Sequence, residues 1–211
     1  MSRPHLPSFA LSAEERAVVA NRDIFAAKAR AQATCREALL ATHAALADIV
    51  RTVPLAAPTG LRAEAFQLVK GESLEDCPYQ YLDYPKYFVR GEAFTFRTLI
   101  WWGHHLVCAW LIEGASVPAR RRALLAHYPE LVDRDVRLGI APGLWEWKVG
   151  DGYTLPLRAD NRTQVAAVLE RRTTLKLCRA VPFDHPDFVA GRIPALAVEA
   201  FRAMLPVVRA E

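Results

Sequence analysis

Within twenty residues, Phe94 to Glu113 (FTFRTLIWWGHHLVCAWLIE), the chain places three of its five Trp, two of its six His and one Arg. An imidazole titrates near neutrality and suits general acid or base work, whereas a guanidinium keeps its charge and among apolar neighbours demands an anion. His105 is therefore a candidate acid or base, Arg97 a candidate holder of an anionic group, and Trp102 an aromatic wall beside them. Each has a structural alternative. His105 could be bonded to a backbone carbonyl, and Arg97 could sit over Trp110 and pair with Asp83, Glu113 or Glu146. Adjacent residues project in different directions, so His104 and His105 do not make the i, i+4 pair of a helical zinc site. The sequence predicts neither a metal nor a cofactor.

Two other clusters carry polar chemistry. Leu82 to Phe88 (LDYPKYF) gathers Asp83, Tyr84, Lys86 and Tyr87 around Pro85, either lining a cleft or forming a packed turn whose hydroxyls bond the backbone. Arg120, Arg121 and Arg122 fall in the first turns of a predicted helix, where cations oppose the positive end of the macrodipole. An anion bound there would relieve the conflict, and the alternative is a solvated basic face paired with Glu130 or Asp133. No Gly-rich phosphate loop, G-x-S-x-G elbow or H-E-x-x-H is present, so nucleotide-loop, hydrolase and metalloprotease readings lack their usual sequence support.

The elements that position these groups follow from patterning. Ser12 and Glu15 form an S-x-x-E capping box, and Asn21 restarts a longer helix that runs to Val53, with Phe25, Cys35, Leu39, Leu46, Ile49 and Val53 mostly on one face. Pro54, Pro58 and Gly60 end it. Leu61 to Pro85 reads as a short strand, a loop and another short strand. The 94 to 113 segment reads as a hairpin apolar on both faces, with Gly103-His104 as a two-residue type II′ turn. That register sets Trp102 opposite His105, Ile100 opposite Val107 and Phe96 opposite Leu111, with Arg97 against Trp110 on the other face. Ser116 caps a helix with Pro118 in its first turn, WEWKVGDGYTLPL (Trp145 to Leu157) reads as a second hairpin with Trp145 and Trp147 on one face, and Asp160 caps another helix. Leu175 to Val181 alternates as a strand, and Pro194 opens the last helix.

The expected architecture is one α+β domain over residues 1–211, an antiparallel sheet built around the central hairpin and covered by the long N-terminal helix and the C-terminal helices. With 211 residues and 52% hydrophobic content the chain is long enough for a large core. The 27 basic against 23 acidic residues leave a net charge of +4, too mild and too dispersed to point to nucleic acid. The longest nearly apolar run, Leu99 to Ile112, is 14 residues, short of the ~20 of a bilayer span. Cys35, Cys77, Cys108 and Cys178 have no paired spacing, and residues 1–16 lack the apolar stretch of a secretory signal, so reduced thiols in a cytoplasm are expected.

The run LDYPKYF, a short gap and FTFRTLIWWGHH resembles a group of bacterial hypothetical proteins with LDYP and R-T-x-x-W-W-G segments, over roughly Lys70 to Gly114. The resemblance implies a shared fold and transfers no site residue. From the residues themselves the expected function is binding of a small anionic or aromatic molecule in a cleft near Arg97, Trp102, His105, Tyr84 and Asp83, with Arg120 to Arg122 as a separate anion site. Two alternatives stand beside it: an enzyme with His105 as general acid or base and Arg97 orienting an anionic substrate, and a protein-interaction module using the Arg120 to Arg122 face. The sequence leaves the oligomeric state open.

Overall fold

The computed structural model describes residues 9–210. Helix α1 spans Ala13–Ala20 and starts on the expected capping box, with Glu15 N donating to Ser12 Oγ (3.1 Å) and Ser12 N to Glu15 Oε2 (2.6 Å). Asn21 Oδ1 accepts from Ile24 N and opens α2, Arg22–Thr52, a helix of 31 residues and thus about 46 Å. Its buried residues all lie in its second half. Leu39, Thr42 and Leu46 are buried, whereas Phe25, expected on the inner face, is exposed with Ile24, Val18 and Val19. The Thr42 hydroxyl is satisfied by donating to the Ala38 carbonyl one turn back (2.8 Å).

Strands β1 (Gln67–Leu74), β2 (Cys77–Val89), β3 (Glu92–Trp101) and β4 (His105–Glu113) follow, then helices α3 (Val117–Ala126) and α4 (Tyr128–Leu131). Strands β5 (Arg137–Gly139) and β6 (Thr154–Pro156), helix α5 (Arg162–Glu170), strand β7 (Thr174–Pro182) and helices α6 (Pro186–Val189) and α7 (Ile193–Val208) complete the chain. All seven strands join one antiparallel sheet in the order β1-β2-β3-β4-β7-β5-β6. The protein is therefore an α+β fold, with the central hairpin in mid-sheet and the long N-terminal and C-terminal helices laid against it.

Four local expectations are corrected. The β3–β4 turn has three residues, Trp102 to His104, with Gly103 at φ +74°; Trp101 rather than Trp102 faces His105, Ile100 faces Leu106, and Phe96 faces Trp110. A slip of one residue on one strand changes which side chains share a face. β2 is a single 13-residue strand through the whole LDYPKYF segment; a register shift between Asp83 and Lys86, where the Tyr84-Pro85 peptide is cis, lets the proline sit in the sheet. The 145–157 segment is not a hairpin, because β6 pairs with β5 instead. Asn161, not Asp160, holds the N-cap of α5, and the Ser116 hydroxyl makes no capping bond.

The two faces of the sheet are covered differently. On one, Phe94, Phe96, Trp110 and Phe201 pack ring on ring between the sheet and α7, with α2 alongside over β2. On the other, Leu99, Trp101, Val107, Ala109 and Leu111 are covered by Leu144 and Trp147 of the non-repetitive segment 140–153. Burial of β3 and β4 on both faces agrees with their continuous apolar sequence. Among the described residues no helix is long and apolar enough to cross a membrane.

Candidate functional site

The three-residue turn puts His105 on the same face as Arg97, under segment 140–153, and the β2–β3 register adds Asp83, which directly opposes Arg97. Arg97 Nε and Nη2 donate to the two carboxylate oxygens of Asp83, each at 2.7 Å, a bidentate pair. The guanidinium carbon lies 3.6 Å from the centroid of the Tyr81 ring, with Trp145 and Trp147 at 5.1 and 5.3 Å. Aromatic faces replace the expected Trp110, which lies on the helix-covered side. With Arg97 7% exposed and Asp83 1%, the pair is sealed. Burial pushes the Asp83 carboxyl up from its ordinary value, and the Arg97 guanidinium pulls the other way.

Nε2 of His105 lies 3.2 Å from the Trp147 carbonyl oxygen, the backbone partner that its sequence context allowed. Burial lowers its pKa, and its electrostatic neighbours His104 and Lys176 are both basic and act in the same sense. Tyr84 and Trp102 do not join this group. The Tyr84 ring meets His43 of α2 edge-on (4.5 Å), and Trp102 packs against the helix-side core.

The Arg120 to Arg122 run divides: Arg120 and Arg122 line one groove of about 840 Å³ with His127 and Arg209, whereas Arg121 turns to α5. Arg121 Nη1 donates to the carbonyls of Leu169 (2.6 Å) and Arg172 (3.0 Å), closing the C-terminus of α5, and Arg120 Nη1 donates to the Val207 carbonyl in the last turn of α7 (3.0 Å). Cations at helix C-termini are favourable, which compensates their position in the first turns of α3. Arg122 is exposed.

A second groove lies where α2 crosses the sheet edge. A groove of about 410 Å³ is bounded by Gln32, Arg36 and Leu39 of α2, Leu68 and Lys70 of β1 and Gln80 of β2. Gln80 alternates with Leu82 and Tyr84 on the helix-covered face, so an amide stands among apolar residues. Its Nε2 donates to the Gln32 carbonyl (3.0 Å), but Oε1, buried in a residue 5% exposed, finds no hydrogen-bond partner among the described residues. A buried acceptor left unpaired costs about 1–3 kcal/mol, so a donor from a ligand would be favoured there. Arg36 and Lys70 supply an exposed cationic rim, and Leu39 and Leu68 an apolar floor. At the outer end Glu72 is held by Lys28 (2.5 Å) and Gln32 (3.1 Å).

Sequence reasoning singled out none of Arg36, Lys70 and Gln80 as site residues. The available signal was the single amide within Tyr79-Gln80-Tyr81-Leu82, which period-2 alternation would have put on the same face as Leu82. Among the described residues no group of three or more His, Cys, Asp or Glu is arranged to hold a metal. Searches against protein-family models, curated proteins and solved structures return no match for this chain.

Proposed function

We propose that this protein binds a small amphipathic anion, an aliphatic or aromatic carboxylate carrying a hydroxyl or amino group, in the groove between α2 and the β1–β2 edge. The observation that carries the reading is the unpaired, buried amide oxygen of Gln80, a residue that lines a groove rimmed by Arg36 and Lys70. The rim cations attract the carboxylate, Gln80 Oε1 accepts from the hydroxyl or amine, and the hydrocarbon part covers Leu39 and Leu68. The size of the groove suits a metabolite rather than a macromolecule.

Binding is favoured over catalysis because the side chains best suited to chemistry are already engaged, Arg97 by Asp83 and His105 by a backbone carbonyl. The reading includes a cytoplasmic location, supported by four cysteines that are all unpaired thiols. The mild positive charge gives no support to nucleic-acid binding.

Isothermal titration with matched pairs of carboxylic acids, with and without a hydroxyl, tests the reading. Arg36→Met with Lys70→Met should weaken the best ligand at least tenfold, about 1.4 kcal/mol. Gln80→Met should erase the preference for the hydroxylated member of each pair. A panel that fails to bind, or affinities indifferent to all three substitutions, would overturn it.

A further inference from the structure

The groove of about 840 Å³ between α3 and the end of α7 is lined, among the described residues, by polar side chains that are all basic. On the α3 side Ala119, Arg122, Ala123 and Ala126 recur at i, i+3, i+4 and i+7 and form one stripe, with Arg120 and His127 beside it. Pro206, Arg209 and Ala210 supply the other wall, and Ala56 joins them. That wall is fixed to the body, since Ala56 N donates to the Val208 carbonyl (2.8 Å) and Ala210 N to the Pro54 carbonyl (2.9 Å). Arg120 Nη1 is held by the Val207 carbonyl, and His127 Nδ1 meets Glu130 Oε1 (2.7 Å). Arg122 and Arg209 are exposed, and their side chains make no hydrogen bond or ion pair among the described residues. A cleft lined by one sign of charge focuses the field and gathers counter-ions.

We propose that this cleft is a binding site for a small oligophosphate, a molecule presenting two or more linked phosphate groups. Arg122 from α3 and Arg209 from the end of α7 grasp it from the two walls, and Arg120 and His127 extend the basic lining. The class of ligand follows from what the cleft offers. Its apolar lining is alanine and proline, with no aromatic ring to stack a base and no large side chain to anchor a protein partner, so charge must supply the affinity. Arg120 and His127 stand seven residues apart, about 10 Å along the helix axis, a span that a short chain of phosphates covers and a single phosphate does not. Guanidinium groups meet phosphate oxygens in bidentate, charge-assisted pairs, which suits arginines drawn from two elements. No carboxylate lines the cleft to compete, and Glu130 borders it only through His127. The site shares no residue with the α2 groove.

Isothermal titration of the full chain at low ionic strength tests this, with inorganic triphosphate as the probe and orthophosphate and an oligoglutamate peptide as competitors for the same role. Triphosphate should bind one to one and at least tenfold more tightly than orthophosphate, about 1.4 kcal/mol. Arg122→Met with Arg209→Met should weaken triphosphate at least tenfold, about the same free energy; both residues are exposed, so the variant keeps its fold, and Arg120 stays in place because it holds the last turn of α7. Arg90→Met with Arg171→Met removes the same charge from exposed positions outside the cleft and should change the affinity by no more than about twofold. Equal weakening by the two double variants would reduce the binding to dispersed electrostatics and overturn the proposal. So would the absence of saturable triphosphate binding, or a peptide that binds more tightly than triphosphate and is lost with Arg122 and Arg209, which would make the cleft a surface for an acidic protein.

Discussion

At the scale of single residues, the Arg97–Asp83 pair is a buried, bidentate ion pair whose two members are not equally removable. A guanidinium cannot shed its charge, so Asp83→Asn leaves an uncompensated cation between β2 and β4 and should destabilise the fold by about 3–5 kcal/mol. Arg97→Met should cost less, because the remaining Asp83 escapes by taking a proton, an option that its upward-shifted carboxyl already favours. Replacing both by Met and Leu should recover much of the loss. Urea unfolding of the three variants at neutral pH decides it, and equal costs for the two single changes would contradict the assignment. Arg97's need for a carboxylate was legible in the sequence, with Asp83 among its three candidate partners. The aromatic partner was not: Tyr81 reaches Arg97 through the β2–β3 register, and the two loop Trp reach it because a segment without periodicity folds over the sheet.

At the scale of elements, the glycines of the sheet separate backbone from packing effects. Gly103, with φ +74°, is in the left-handed region, and an added Cβ would meet only the Cys77 sulfur at an ordinary 3.4 Å, so Gly103→Ala should cost about 1 kcal/mol from the backbone alone. Gly71 is different. The Tyr79 ring lies across it, and a Cβ would fall 2.2 Å from the ring, so Gly71→Ala must move Tyr79 and should cost more, about 1–3 kcal/mol. Denaturant midpoints of the two variants give the order, and a milder effect at Gly71 would show that Tyr79 rearranges freely. Capping and periodicity made α1, α2, β3, β4, β7 and α7 readable because each depends on local chemistry. β2 was hidden by Pro78 and Pro85, which the sheet tolerates through an irregular register, and WEWKV mimicked a strand because alternating aromatics carry the same period wherever the backbone goes.

For the whole molecule, the two faces are sealed by unlike means, helices on one and an extended segment on the other, and each encloses a histidine held neutral. His43, between the rings of Phe66 and Tyr84, has its pKa lowered by burial, and its Nε2 finds no hydrogen-bond partner among the described residues. His105 is lowered by burial on the opposite face. In the unfolded chain both titrate near 6.5, so below that value the unfolded state binds more protons than the folded one and stability falls with falling pH. Well above 6.5 both states are neutral at these positions and the contribution is constant. The expected result is a measurable fall in unfolding free energy between pH 7.5 and 5.5, a window above the ordinary carboxylate range. His43→Phe keeps the ring packing and removes the proton site, so its stability should fall less over the same interval, and His105→Gln should account for a further part. Parallel slopes for wild type and both variants would place the acid sensitivity elsewhere and remove the link between the sealed faces and the two imidazoles.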